Sequence, residues 1–498
     1  MNLRFRKNGT FRVLQMADIQ DGPDVNEDTI RLIRAAIAEG DPDLIVLTGD
    51  QIRGYDPAYI DTFLRRRDDE PGEHIRSVTK LEARVRGITP MDESGPDVDA
   101  DAADHQALLA AAMAATRQKV RRTFASFLSP AIEAHVPFAA TYGNHDFQCG
   151  ILVDEQDDMY REFDGCLNPK VAADPNPNVD SNTSAGTTAN TNPLTCEPGT
   201  FALPIAASDG SDRIAMSVMM VNSGDYAGKA GDEDGEPASY MEGTPQALHS
   251  FTHELYARHS RTIDLADSAG YGSPSPEALQ WLGDVQHHLS EANGDNAPVP
   301  SIVFQHIPPQ EFYRCLRQVP AWTPNAVEGT RAFAHRCYVI DESICRPGAI
   351  LGESIGCPDE DCGEVDTMRN AGGYFALFTG HDHKNAFIGH VDGMDLGYAP
   401  TCGFESYGPK SALRGIRLFV FHEDDPAAYD SRMLTFGELI GRHSNNELRV
   451  FIGDHLMTDG ASVRNQLRRP KVFTAALLTA ATTAHVVWHD VIRRLWRR

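Results

Sequence analysis

Five times along this chain, a short apolar run stops at a side chain that can bind a metal ion. Phe11 to Met16 leads into Asp18-Ile19-Gln20, and Asp43 to Leu47 into Thr48-Gly49-Asp50. Val136 to Thr141 leads into Tyr142-Gly143-Asn144-His145-Asp146. Val299 to Gln305 leads into His306-Ile307-Pro308-Pro309, and Tyr374 to Thr379 into Gly380-His381-Asp382-His383. Short apolar runs bounded by Gly, Pro and Asp predict buried strands. Between the first two runs, Thr29 to Glu39 has helical spacing, with Ile30, Ile33 and Ile37 on one face. The pattern is a βαβ unit with acidic residues at the strand ends. Ligands gather at that edge in open α/β sheets.

Each motif alone is weak. An Asp at a strand end is often a helix cap, and a lone histidine such as His306 is more often structural than a ligand. The recurrence of all five in order, at one sheet edge, is what argues for a metal site.

The rest of the chain is less specific. Gln106 to Ala134 and Ser275 to Leu289 read as helices, the second capped by Ser275 with Pro276 at its first position. Ile214 to Asn222 is another apolar run. Residues 65–105 are charged and acidic, which predicts an exposed insertion. Residues 172–200, rich in Asn, Thr and Pro, predict a long loop. Residues 227–270 are polar and irregular.

A net charge of −26 opposes a protein that grips nucleic-acid backbones, which needs a basic face. The nine cysteines are an odd number and point to a reduced compartment. Cys337, Cys345, Cys357 and Cys362 lack a tight C-x-x-C pair, so a zinc or disulfide site there is disfavoured. The N-terminus has no apolar signal-peptide core, and a cytoplasmic location is expected. Residues 464–498 hold eight Arg or Lys against one Asp, around 18 uncharged residues between Lys471 and Asp490. Four of those are Thr and two are His, which suits a basic helix on a membrane surface or on the protein better than a span. The location expected stays cytoplasmic, with a peripheral place at the membrane as the alternative.

The five motifs resemble the calcineurin-like metallophosphoesterase superfamily, whose pattern is D-x-H, GD, GNH, H and GH-x-H in that order. The resemblance covers roughly residues 11–422. It is nearest to the purple-acid-phosphatase-like branch of plant and fungal phosphatases, through Asn222-Ser223-Gly224-Asp225-Tyr226, His306-Ile307-Pro308, Gly380-His381-Asp382-His383-Lys384-Asn385 and Arg414-Gly415-Ile416-Arg417. It implies a four-layer α/β/β/α sandwich of two mixed sheets. Residues 1–430 would form that domain, and 431–498 a C-terminal extension with the basic helical tail.

The resemblance also implies roles. Asp50 would bridge two divalent ions. Asp18, Gln20 and His383 would complete one site, and Asn144, His306 and His381 the other. Glycines before Asp50, Asn144 and His381 would let the backbone turn sharply. His145 would protonate the leaving group or stabilise the transition state, oriented by Asp146. Such ions clamp a phosphate and activate the attacking hydroxide.

The family's usual histidine is replaced by Gln20, an oxygen donor. That favours Mn over Zn among the candidates Mn, Fe, Mg and Zn. Related enzymes with Gln there resemble manganese-dependent nucleotide-diphosphate hydrolases. The segment Gly49-Asp50-Gln51-Ile52-Arg53 also lacks the tyrosinate that colours true purple acid phosphatases. Arg53 is a candidate for binding substrate phosphate. Tyr142, Phe147, Tyr313 and Tyr407 read as core residues with pocket lining as the alternative, and Glu311 and Lys384 as rim candidates. The expected activity is hydrolysis of a phosphomonoester on a phosphoprotein or small metabolite. The alternatives are a phosphodiester or nucleoside-diphosphate pyrophosphate hydrolase, and a metal-binding scaffold without catalysis.

Overall fold

A computed structural model describes residues 3–90, 102–171, 192–227, 270–456 and 460–496. The first sheet contains β1 (Thr10–Met16), β2 (Leu44–Thr48), β3 (Phe138–Thr141), β14 (Gly415–His422) and β15 (Asp430–Thr435), in the order β15-β14-β1-β2-β3. The second contains β4 (Thr195–Glu197), β5 (Thr200–Ala206), β6 (Ile214–Met220), β7 (Ser301–Phe304), β11 (Tyr374–Thr379), β12 (Ile388–Val391) and β13 (Met394–Tyr398), in the order β12-β13-β11-β7-β6-β5-β4. Both are mixed: β1, β2 and β3 run parallel, as do β6, β7, β11 and β13, with antiparallel strands at the edges. A small third sheet joins β8 (Leu316–Val319), β9 (Val327–Glu328) and β10 (Cys337–Ile340).

Alternation along the strands builds the layers. Phe11, Val13, Leu44 and Val46 face Met216, Val218, Ile302 and Phe304 between the two large sheets. Leu14, Met16, Ile45 and Leu47 point the other way, onto α1 (Glu27–Gly40) and α3 (Ala102–Glu133). Val303 and Leu377, on the far face of the second sheet, pack on α5 (Pro276–Asn293) and α6 (Glu364–Ala371). The result is the four-layer α/β/β/α sandwich.

Helix boundaries follow local chemistry. Asn26 caps α1 by accepting from the Asp28 N–H, and Ser275 caps α5 by accepting from the Ala278 N–H. The buried stripe of α1 is Leu32, Ile33, Ala36 and Ile37, whereas Ile30 is only half-buried. The expected loop 172–200 ends in strand, since β4 and β5 begin at Thr195 and Thr200; residues 172–191 lie outside those described, as do 228–269 of the irregular stretch.

The expected exposed insertion is mostly exposed or half-buried over residues 65–90, but it also carries a helix that is anchored at a few buried positions. Residues 77–86 form α2 (Ser77–Arg86), and Arg76, Thr79 and Ala83 beside or within it are buried. Residues 91–101 lie outside the description. The expected boundary at residue 430 falls at the start of β15, an edge strand of the first sheet. Beyond it, α8 (Glu447–Asp454) sends Val450 into the core, and α9 (Gly460–Arg468) pairs Arg464 and Arg468 with Glu328. Residues 431–456 and 460–468 are thus packed on the body. The last helix, α10 (Pro470–Trp496), is exposed over its described side chains from Phe473 onward, including Leu477, Leu478 and Trp488. No helix among the described residues is long and apolar enough to cross a membrane.

Candidate metal centre

All five motifs meet at one end of the sandwich, beyond the C-termini of β1, β2, β3, β7 and β11. Asp18, Asp50 and His383 are buried, and each offers a ligand atom within 4.8 Å of the others. His383 Nε2 lies 3.3 Å from Asp18 Oδ1. Gln20 Nε2 lies 3.0 Å from Asp50 Oδ2, which is also 3.4 Å from His306 Nε2. His306 Nε2 is in turn 3.2 Å from Asn144 Oδ1 and 3.2 Å from His381 Nδ1. Seven metal-capable side chains therefore form one chain of neighbours centred on Asp50 and His306.

Backbone carbonyls fix two of the histidines. His306 Nδ1 is 2.9 Å from the Thr48 carbonyl, and His383 Nδ1 is 2.7 Å from the Tyr407 carbonyl. A carbonyl can only accept, so Nδ1 carries a hydrogen in each and Nε2 is the atom turned to the cluster. Burial lowers the proton affinity of His306, but the adjoining Asp50 outweighs it and raises the group to about 10. Burial pushes Asp50 up, yet His306 and His145 hold it well below the usual carboxylate range. Burial and the neighbouring His306 drive His381 well below its ordinary value. The field that holds a proton on His306 would equally hold a cation.

Gln20 adds an independent sign of fit. Its Oε1 is buried and meets no hydrogen-bond partner, which costs energy unless a donor or cation arrives. Local backbone is also held in unfavourable territory: Asp18, Gln20, Asp50 and His381 all have positive φ, at 52°, 42°, 52° and 75°. Such strain in residues other than glycine collects at functional sites.

The glycines act by two different means, which refines the expectation of sharp turns. Gly49 does adopt a left-handed φ of 84°. Gly143 instead permits close approach, since a Cβ there would sit 2.3 Å from Asp50 Oδ1 and 2.7 Å from the His306 ring. Gly380 likewise lies against the Asp18 carboxylate.

Two expected roles are corrected. Asp146 does not orient the His145 ring. Its carboxylate accepts from the backbone N–H groups of Asp50, Ile52 and Gly143, tying the second and third motif loops together. Burial and nearby Asp50 raise it to about 7. Gln148 is the partner of His145, with Oε1 2.8 Å from Nδ1. Arg53 does not reach toward the cluster either. It is 6 % exposed, pairs with Asp56 at 3.1 Å and Glu82 at 2.5 Å, and lies over Tyr55. Glu82 belongs to α2, so Arg53 helps bind that helix to the motif loop, together with Arg86 on Asp56 and Thr79 on the Tyr55 carbonyl.

Other candidates are also placed. Tyr142 and Phe147 are core residues, with Tyr142 donating to Asp157. Lys384 Nζ donates to the Asp454 carbonyl at 3.0 Å. Glu311 and Tyr313 line a separate cleft of about 280 Å³ with Arg314, Phe333, Tyr338 and Asp361. The nine cysteines are free thiols, and none joins a metal-capable cluster among the described residues. Sequence reading missed Gln148, although it stands three residues after His145, a spacing that a tight helical turn brings together. It also missed Tyr55 and Tyr271 and gave Tyr226 no role beyond its motif, although all three stand beside the cluster.

Comparison with known proteins agrees with this geometry at the level of class: the chain is similar to the purple-acid-phosphatase-like branch of the calcineurin-like metallophosphoesterases. A probable inactive purple acid phosphatase 28 of Arabidopsis thaliana is 23% identical over 437 residues, spanning 84% of this chain and 76% of the relative. A probable inactive purple acid phosphatase 29 from the same plant is 24% identical over 168 residues, or 31% of this chain and 36% of the relative. No family model matches. Among solved structures, a dimetal phosphatase from Danio rerio aligns over 86% of this chain and 99% of its own, at 11% identity and a TM-score of 0.37.

Proposed function

We propose that this protein hydrolyses phosphomonoesters with two divalent ions, Mn favoured. The observation that carries the reading is the convergence of seven metal-capable side chains on the Asp50–His306 contact. Asp18, Gln20 and His383 would hold one ion, Asn144, His306 and His381 the other, and Asp50 both. When bound, the ions would supply positive charge to the phosphate and acidify the attacking water.

The chain's own groups supply the rest. The His145 N–H donates to Asp50 Oδ1 at 2.8 Å, holding that carboxylate in place. Gln148 Oε1 also accepts from Arg76, which marks it as the amide oxygen; His145 Nδ1 therefore carries its hydrogen toward Gln148. In its protonated form, with Nδ1–H held by Gln148, His145 would give the Nε2 proton to the leaving oxygen and be left as the neutral ring. Gln20 brings an oxygen donor, which suits Mn. The same residue supports a second reading, hydrolysis of a diester or a nucleoside-diphosphate pyrophosphate bond. The word inactive in the relatives' names keeps a non-catalytic scaffold in view; this chain retains both Asp50 and His145.

The test is hydrolysis by metal-free protein refilled with Mn²⁺, Mg²⁺, Fe²⁺ or Zn²⁺, on p-nitrophenyl phosphate and its bis-ester side by side. Metal-dependent cleavage of the mono-ester supports the proposal. Preference for the bis-ester shifts it to the second reading. Two ions bound per chain with no cleavage would support the scaffold.

We also propose that α10 lies on an anionic membrane surface. From Phe473 onward its described apolar side chains are exposed, while Arg464, Arg468 and Arg469 at its root are already paired with Glu328 and Asp454. Co-sedimentation with phosphatidylserine vesicles, lost on truncation after Arg469, would support this; equal binding of the truncated chain would contradict it.

A further inference from the structure

Four tyrosines stand around the buried cluster, each against a different site residue. Tyr55 meets the His145 ring edge-on at 4.9 Å. The Tyr226 hydroxyl accepts from Asn144 Nδ2 at 2.8 Å, and its ring centre is 6.4 Å from that of His145. Tyr271 meets His381 edge-on at 4.4 Å. Tyr407 stacks on His383 at 4.2 Å with 12° between planes. Asp18, Asp50, His306 and His383 are buried, whereas all four tyrosines and His145 are half-buried, so part of each tyrosine stays accessible beside the cluster.

The rings are held in place. Tyr226 and Tyr271 pair through a backbone bridge and stack at 6.3 Å and 25°. The guanidiniums of Arg53 and Arg76 lie 5.0 and 4.9 Å from the Tyr55 ring centre. A rigid ring loses little freedom when another ring packs on it, and aromatic pairs attract beyond simple area burial. An alkyl group gains much less from such surroundings.

We infer that this site selects phosphate esters whose organic part is a planar aromatic ring, gripped by the collar of Tyr55, Tyr226, Tyr271 and Tyr407. The inference deepens the phosphoesterase reading and rests on it for turnover, but not for binding. The shared chemistry is the flat ring, which a phosphotyrosyl group and a nucleotide base both offer.

The experiment uses the full chain loaded with Mn²⁺ and has two arms. In the binding arm, calorimetry compares phenylphosphonate with methylphosphonate, neither of which can be hydrolysed as an ester. Phenylphosphonate should bind about tenfold tighter. In the turnover arm, kcat/KM is measured for phenyl phosphate and glycerol 2-phosphate. Comparing variants with wild type cancels the difference between the leaving groups themselves. Tyr271→Leu should lower the aryl-to-alkyl ratio by about tenfold, and Tyr271→Phe should keep it. If Tyr271→Leu does not fold, Tyr55→Leu takes its place. O-phosphotyrosine against a nucleoside 5′-monophosphate then tells the two ring sources apart. Equal binding of the two phosphonates, or an unchanged ratio in the leucine variants, overturns the inference. Selective phosphonate binding without hydrolysis of any ester leaves the collar standing and overturns the phosphoesterase reading instead.

Discussion

Gln20 Nε2 lies 3.0 Å from Asp50 Oδ2, while the Oε1 of the same amide is buried with no partner. An amide at this place gives the cluster an oxygen where an imidazole would give a nitrogen. Gln20→His should therefore shift metal preference toward Zn²⁺, tightening it about tenfold or more relative to Mn²⁺. Competitive metal titration followed by mass spectrometry checks this. An unchanged Zn/Mn preference would remove Gln20 from the set of ligands.

The contact of His145 with Gln148 and the backbone role of Asp146 predict opposite outcomes for neighbouring substitutions. Gln148→Leu should retain both ions and the fold yet lose turnover by about 10–100-fold, because the His145 ring loses its orienting acceptor. Asp146→Asn should instead destabilise the protein by roughly 1–3 kcal/mol, since one of three backbone donors loses its acceptor. Paired denaturation and kinetic measurements separate the two.

Arg53→Ala should act on stability rather than on substrate affinity. It removes one of the two arginines that buried Asp56 and partly buried Glu82 share, while Arg86 stays paired with both, a loss of roughly 1–3 kcal/mol. KM for a phosphomonoester should stay within about twofold. A large rise in KM with unchanged stability would restore Arg53 as a phosphate contact.

Glu364 predicts a pH effect on stability. Burial raises its carboxyl to about 8, its Oε2 accepts from Gln305, and Oε1 has no partner. The folded protein keeps this proton at pH values where the unfolded chain has released it. Its contribution is therefore fully present below the ordinary carboxyl value and is lost as pH rises toward about 8. Glu364→Gln should remove that slope and stabilise the protein at pH 8 by roughly 2–4 kcal/mol. Urea unfolding between pH 5 and about 8.5 reads the difference, and parallel pH profiles of the two proteins would contradict it.

Much of this was legible in the sequence because the signals are local. The runs before Asp18, Asp50, Asn144, His306 and His381 are short, apolar and sharply ended, and all five became strands of the two sheets. The Ser275–Pro276 cap likewise marks the start of its helix within one turn. What stayed hidden depends on distant partners. Nothing near Arg53 reveals that Glu82 will fold back to meet it. Nor does Asp146 show that its carboxylate will face backbone N–H groups rather than the adjacent histidine. The tyrosine collar draws on Tyr55, Tyr226, Tyr271 and Tyr407, which are far apart in sequence and come together only when both sheets are assembled. The strands β8, β9, β12, β13 and β15 escaped notice because polar residues or glycine interrupt them, whereas β10 and β14 were passed over despite apolar runs.

The most direct test of the central claim joins metal content to turnover. Purified metal-free protein is titrated with Mn²⁺ while bound metal and p-nitrophenyl phosphate hydrolysis are followed together. The account predicts two ions per chain, with activity appearing as the pair is completed. It predicts that Asp50→Asn and His306→Ala abolish both the second ion and turnover in a protein that remains folded. Near wild-type hydrolysis in either variant, or activity in the absence of bound metal, would contradict it.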